Sequence, residues 1–360
     1  MKRILYITYD WWFDTDVDVI KDLSKEFLID VYVISLRKNN LNKYPDKKLF
    51  SQNVNIHDYR FWDKSSKFYL SWCSFIYALR LIWISRHYDL IFYIDDSNPV
   101  TAPLLSVFMP KDKVVVTFHD YHMHVDEPGF KNKIHNLIIN RFRYFHFFSR
   151  SQYEYFIKEH PSKKAFYSLM PLKDFGEKRA KHNNGKKTFL FFGYIRPYKR
   201  LDLFIQAAKE LSENSNFIIA GYCKDWEIYK RKIGADKRFI SEIKFVPNDE
   251  IPDYFSKADY LVLPYNDSTQ SGPLLIAVNY GVPVIASNHK IFQDFITDGV
   301  NGFLFKDGDV DDLKRAMLKA ESLTDGEWEK MQQNMLLKKD EYSEASDFIR
   351  SVKTFWKSIK

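Results

Sequence analysis

The chain has 360 residues, 45% of them hydrophobic, 28% charged and 17% aromatic, and a net charge of +7. That length suits two domains of ordinary size, and the charge fits nucleic acid, anionic lipid or a phosphorylated small molecule without choosing among them. The opening MKRILYITYD has no signal-peptide anatomy, the longest apolar stretch (68–79) is too short to span a bilayer, and Cys73 and Cys223 lie far apart and have no metal spacing, so a reduced, cytoplasmic protein is expected.

Short β-rich runs recur along the first half: ILYIT (4–8), VYVIS (31–35), LIFYI (90–94), VVVTF (114–118) and FHFFS (145–149). Between several of them lie segments with helical apolar spacing, such as Ile20, Leu23 and Phe27. A polar run at 173–187 reads as a linker. The pattern then restarts with TFLFF (188–192), NFIIA (216–220), IKFV (243–246), YLVLP (260–264), PVIAS (283–287) and GFLF (302–305). Alternating strands and helices imply parallel sheets covered on both faces. The expected fold class is α/β: two doubly wound, Rossmann-like domains, 1–172 and 186–341, facing across a cleft. A helix at about 342–360 is expected to return to the first.

Doubly wound sheets bind ligands at the carboxyl ends of their strands. In FLFFGYIRPYKR (189–200), Gly193 ends a strand and Arg196, Lys199 and Arg200 crowd the turn before a helix expected at 201–211. Such a turn suits a phosphate, because Arg offers a planar fork, Lys a point charge and the helix start oriented N–H groups; a solvated surface turn is the competing reading. In DSTQSGPLLIAVNYGVPVIAS (267–287), Pro273 suits a first helical turn and Gly281 a helix end, which puts Ser271 and Gly272 at the helix N-terminus. Glycine there admits a ligand to the backbone and its N–H groups suit a diphosphate; an ordinary capped helix needs the same residues.

These stretches resemble the nucleotide-sugar-binding domain of family 4 glycosyltransferases of the GT-B fold. The resemblance runs in order from FFGYIRPYKRLDLFIQA through FIIAGY, IKFVPNDEIPDYFSKADYLVLPY and TQSGPLLIAVNYGVPVIAS to FITDGVNGFLF, over residues 189–313. It implies transfer of a sugar from a UDP- or GDP-sugar with retention, without a metal, to a glycan or lipid-linked acceptor in bacterial-type cell-surface polysaccharide assembly. It also implies that Gly193, Arg196, Lys199, Ser271 and Gly272 hold the donor diphosphate. Cations fixed there stabilise the charge left on the departing phosphate. Where the family's commonest form has glycine after the lysine, this chain has Arg200. The family's two glutamates, eight residues apart, fall on Ser268 and Ile276; this TQSG variant leaves the donor sugar or ribose to Ser268, Thr269 and Gln270, and puts Ile276 against the ribose.

By the same resemblance Gly221 and the Phe245-Val246-Pro247 stretch border the base, with plain core an equal reading for Phe245. In VVVTFHDYHMH (114–124) the resemblance gives His119 a catalytic place beside the donor sugar, oriented by Asp120; with His122 and His124 it has no accompanying metal-ligand spacing. Asp14 and Asp16 have Asp-x-Asp spacing but lie in an opening loop, and read as solvated or acceptor-facing rather than as metal ligands. Residues 130–148 mix Lys131, Lys133, Arg141 and Arg143 with many apolar residues; they read either as a buried helix and strand or as peripheral contact with an anionic membrane, at the inner membrane face. No nucleic-acid-binding module is recognisable. Two rival readings stand beside the transferase: a catalytically silent GT-B accessory protein, suggested by the missing glutamates, and a GT-B nucleotide-sugar epimerase.

Overall fold

The computed structural model describes residues 1–10, 12–35, 50–60, 67–95, 98–119, 121, 129–177, 185–267, 270–345 and 348–359. The chain divides into two compact units, Met1–Pro171 with Ser346–Lys360, and Leu172–Ala345.

The first unit is built on strands β1 (Arg3–Tyr9), β2 (Leu28–Ser35), β3 (Val54–Arg60), β4 (Leu90–Ile94), β5 (Val114–Phe118), β6 (Tyr144–Phe147) and β7 (Lys164–Tyr167). They pair in parallel in the order β3-β2-β1-β4-β5-β6-β7. Its helices are α1 (Phe13–Ser24), α2 (Lys67–Ser85), α3 (Thr101–Phe108), α4 (Gly129–Arg141) and α5 (Arg150–Glu159). β4 and β5 are buried along their whole length, as strands covered on both faces must be. The edge strands β3 (VNIHDYR) and β7 (KAFY) were not expected from the sequence. One side of an edge strand faces no neighbour, so their polar residues hide the apolar run that marks a central strand.

The second unit has β8 (Lys187–Phe192), β9 (Ser215–Ala220), β10 (Phe239–Glu242), β11 (Tyr260–Leu263), β12 (Val284–Ser287) and β13 (Gly302–Phe305), in the order β10-β9-β8-β11-β12-β13. Helices α6 (Leu201–Ala208), α7 (Trp226–Ile233), α8 (Ile251–Lys257), α9 (Gly272–Asn279), α10 (Lys290–Gln293), α11 (Val310–Ser322) and α12 (Asp325–Ala345) complete it. Alternation divides the core: Phe189, Phe191, Phe217 and Ile219 belong to one apolar cluster, while Leu190, Phe192, Ile218 and Ala220 belong to the other. The last helix, α13 (Phe348–Ile359), belongs to the first unit, where Phe348 packs on Phe92 and Phe355 stacks on Phe166.

Two expectations are corrected. The strand placed at 243–246 lies at Phe239–Glu242, an edge strand whose Ile240 and Ser241 are exposed, so the more apolar IKFV drew the assignment. The start of the expected linker is packed structure: the Tyr280 hydroxyl accepts from the Phe175 amide at 3.1 Å and donates to the Gly176 carbonyl at 2.9 Å. Residues 178–184 lie outside the described residues.

Both sheets reverse strand order beside their first strand, and in the second unit the reversal falls between β8 and β11. Open α/β sheets leave a crevice at such a point. The ladder there continues past the strand ends, Gly193 N donating to Ala220 O and Ile195 N to Tyr222 O, both at 2.9 Å. This close approach dictates Gly221: its φ is +146°, and a Cβ would lie 2.0 Å from the Gly193 carbonyl oxygen. Gly221→Ala is therefore expected to cost on the order of 3 kcal/mol in chemical denaturation, through backbone displacement and strain. A cost below about 1 kcal/mol would show that the two strand ends separate freely.

Candidate functional site

The site is built from two loops at the β8/β11 reversal. After β8 the chain turns at Gly193 (φ +100°), makes one short 3-10 turn over Pro197–Lys199, and enters α6 through Arg200. Arg200 has φ 52° and ψ 47°, and among the described residues it is the one non-glycine residue with positive φ. That left-handed conformation explains why glycine fits this position, and it turns the Arg200 guanidinium onto Asp202, at 3.2 Å. The other loop leads from β11 to α9, where Ser271 caps the helix: its hydroxyl accepts from the Leu274 amide at 3.3 Å.

Lys199 sits between these loops. It is 7% exposed, and its Nζ lies 5.3 Å from the Tyr265 ring centroid. A Cβ on Gly193 would stand 3.4 Å from that Nζ and equally far from Pro273 Cγ, so glycine leaves the ammonium its room. Desolvation, and after it the Arg196 guanidinium, lower the Lys199 pKa to about 7. Among the described residues no carboxylate pairs with it. Arg196 is exposed, its guanidinium 5.0 Å from the Tyr194 ring centroid. A further cation, Lys173, approaches α9: a Cβ on Gly272 would lie 3.9 Å from Lys173 Cε and 4.0 Å from its Nζ. Two lysines, an arginine and the start of a helix thus converge, an arrangement whose chemistry is anion binding.

An aromatic row runs from Arg196 across the strand ends. Tyr194 lies 5.4 Å from Tyr222, and Tyr222 stacks on Phe245 at 4.6 Å with planes 4° apart. Phe245 is 47% exposed, which rules out the plain-core reading. Val246 and Pro247 beside it are half-buried. The row presents flat apolar surface that a planar ring can stack on.

The structure thus gathers Gly193, Arg196, Lys199, Ser271 and Gly272 at one sheet edge, with Gly221, Phe245, Val246 and Pro247 toward β9 and β10. Gln270 is half-buried just before α9, whereas Ser268 and Thr269 lie outside the described residues. Ile276 departs from its expected place against a ribose: it is 4% exposed within the apolar cluster of the sheet and presents almost no surface to a ligand. The sequence reading missed Lys173, which stands in a polar run without a motif. It also missed Tyr194 and Tyr222, although each follows the glycine that ends a strand, and that repeated Gly-Tyr was a usable signal.

In the first unit His119 follows β5, 2% exposed, stacked on Trp12 with centroids 3.8 Å apart and 5.1 Å from the Phe148 ring. Asp120, His122 and His124 lie outside the described residues, as does the Asp14 side chain. Asp16 is neither solvated nor acceptor-facing. It is fully buried on α1, accepting from the Tyr6 hydroxyl at 2.9 Å and from the Thr8 hydroxyl, so it braces α1 against β1. Among the described residues there is no cluster of His, Cys, Asp and Glu that could hold a metal ion.

Residues 173–336 match the glycosyl transferases group 1 family. Over 131 residues the chain is 30% identical to 2-deoxystreptamine N-acetyl-D-glucosaminyltransferase of Niallia circulans, covering 35% of this chain and 34% of that protein. Over 136 residues it is 29% identical to the O-antigen chain mannosyltransferase RfbU of Salmonella typhimurium, covering 37% of each. The matches thus cover little more than a third of the length of either relative. In structure, HepE of Anabaena in complex with UDP and glucose superposes with a TM-score of 0.71 at 14% identity, over 100% of this chain and 99% of that one. The chain has the GT-B fold. Two parallel, Rossmann-like sheets are its hallmark, and the group 1 match falls on the GT-B unit that carries the cation cluster.

A buried ammonium without a counterion costs stability. The unfolded chain holds the Lys199 proton up to the ordinary lysine pKa of 10.5, the folded chain only to about 7, so the unfolded state binds more protons between those values and stability rises with pH there. Lys199→Met is expected to raise stability at neutral pH, on the order of 2 kcal/mol, and to remove that rise. Denaturant melts of both proteins at about pH 7 and pH 9 check it; identical pH dependence in the two would show that Lys199 is not desolvated.

Proposed function

We propose that the chain is a glycosyltransferase of the family 4 type, in a TQSG variant, which moves a sugar from a UDP- or GDP-sugar to a glycan or lipid-linked acceptor with retention. The acceptor oxygen bonds to the anomeric carbon as that carbon's bond to the diphosphate breaks; the hydroxyl proton is released and the nucleoside diphosphate leaves with the electron pair. One observation carries the reading: Lys199, a buried cation at the sheet reversal with no carboxylate paired to it among the described residues. An ammonium held in a low-dielectric site stabilises charge as it develops on a leaving phosphate more than one in water would. Arg196 and Lys173 add charge at the same edge, so the site needs no divalent ion in this reading. The aromatic row from Tyr194 to Phe245 takes the base.

The group 1 match supports the reaction class, and the name of RfbU supports a setting in glycan assembly, an O-antigen chain, whereas the Niallia circulans relative is named for a small aminocyclitol acceptor, 2-deoxystreptamine. HepE, solved with UDP and glucose, supports a UDP-sugar as the first donor to try. A role for His119 in turnover rests on the resemblance alone. The proposed setting is cytoplasmic, peripheral at the inner membrane face, in cell-surface polysaccharide assembly. Among the described residues no helix is long and apolar enough to cross a membrane. The silent-accessory reading keeps one specific support, since Ile276 supplies no carboxylate and is buried.

A product assay separates the readings. The purified chain, with UDP- and GDP-sugars, a lipid-linked glycan acceptor and EDTA, is expected to form a new glycoside; Lys199→Met and Arg196→Ala are expected to lower kcat/KM by about 100-fold or more and about 10-fold respectively. Donor turned over to an isomeric sugar nucleotide would establish the epimerase, and nucleotide binding without any product the accessory protein. Activity that EDTA abolishes and Mn²⁺ restores would overturn the metal-independent mechanism.

A further inference from the structure

α2 buries one long face and carries an apolar stripe on the other. Its inner stripe, Ser74, Tyr77, Ala78, Leu81 and Ser85, is buried in the first unit. Its outer stripe follows the same helical spacing, Trp72, Ile76, Leu79 and Trp83, and these four are 54%, 50%, 46% and 66% exposed. A helix that packs by one stripe should be polar on the other, so this second stripe requires a partner. α3, which packs along α2, also ends in exposed apolar residues, Val107 and Phe108, 51% and 59% exposed. Phe75, beside the stripe, stacks on Trp72 at 5.9 Å.

We propose that this face of α2 and α3 docks onto an anionic lipid surface. Charge selects that occupant. Residues 64–88 contain no Asp or Glu, and neither do residues 97–111. The exposed charges nearest the stripe are mostly positive: Arg86 and Lys111, with Arg80 over the Tyr59 ring, while the exposed carboxylates that bound these windows are engaged, Asp89 accepting from the Arg3 amide and Asp112 paired with Arg143. Tryptophans mark both ends of the stripe, where an amphipathic ring sits between headgroup and acyl chain. The helix lies along the surface and does not cross it, because its inner stripe is committed to the protein core. A symmetric pairing with a second copy would bring Arg80 and Arg86 into a like-charged interface, which disfavours that occupant. The segment 130–148 is excluded from the role: α4 buries Ile134, Ile138 and Ile139, β6 is a core strand, and Arg143 is paired with Asp112. The proposal deepens the peripheral membrane contact proposed above, and rests on that reading only for its biological setting.

The test uses the full chain with sucrose-loaded vesicles of phosphatidylcholine, alone or mixed with phosphatidylglycerol. The protein is expected to sediment with the mixed vesicles, to release as salt is raised, and to show a blue shift of tryptophan emission on binding. Ile76→Glu and Trp83→Glu should each lower the partition coefficient about tenfold, with UDP affinity unchanged on the same samples. If a glutamate variant melts early, Ile76→Ser and Trp83→Ser replace it. Wild-type protein that stays in the supernatant, or variants that bind like wild type, would overturn the proposal. So would sedimentation-velocity dimers that these substitutions dissociate, which would give the face to a second copy. Failure of UDP binding in every sample would instead strike the donor reading and leave the vesicle result standing.

Discussion

A lysine ammonium taken out of water has to be compensated, and among the described residues no carboxylate compensates Lys199. The local backbone is arranged around that charge. Gly193 gives it room, the short turn over Pro197–Lys199 aims it back at the strand end, and Arg200 accepts a left-handed conformation so that α6 can begin directly afterwards. Gly221 lets β9 close against the same strand end, which brings Tyr222 and Phe245 alongside Tyr194. A site that lowers its own lysine pKa to about 7 is unfavourable when empty, and an anion placed beside the ammonium would offset that cost.

The two units use one plan with different surfaces. Each is a parallel sheet whose strand order reverses beside its first strand, so each offers a crevice at the carboxyl ends of its strands. In the second unit cations and flat aromatics line that edge. In the first, His119 lies stacked on Trp12 with Phe148 beside it, while α2 and α3 carry exposed apolar side chains.

The central strands were legible because burial on both faces demands continuous apolar runs, as in LIFYI, VVVTF and TFLFF. The edges were not: VNIHDYR and KAFY follow no apolar rule, and FISE lost to the more apolar IKFV four residues on. The cation cluster was legible as a strand, a glycine and a basic turn, since that order is fixed by local sequence. Lys173 was not, because only the packing of residues 172–177 beside Tyr280 brings it to α9. Spacing also misled. Asp14 and Asp16 suggested an open loop, yet Asp16 falls on the inner face of α1. Counting back from Gly281 put Ile276 at a ribose, yet α9 turns it into the core. Neither error is visible without knowing which helix face packs.

The central claim, that Lys199 is a desolvated cation whose natural partner is the donor diphosphate, can be measured on that one side chain. With ¹³C-labelled lysine and Lys199→Met to assign the signal, the Cε shift of Lys199 is followed against pH, free and saturated with UDP. The account predicts a midpoint near 7 in the free protein and a rise of at least about two units with UDP bound. A midpoint near the ordinary lysine value of 10.5 that UDP leaves in place would contradict it.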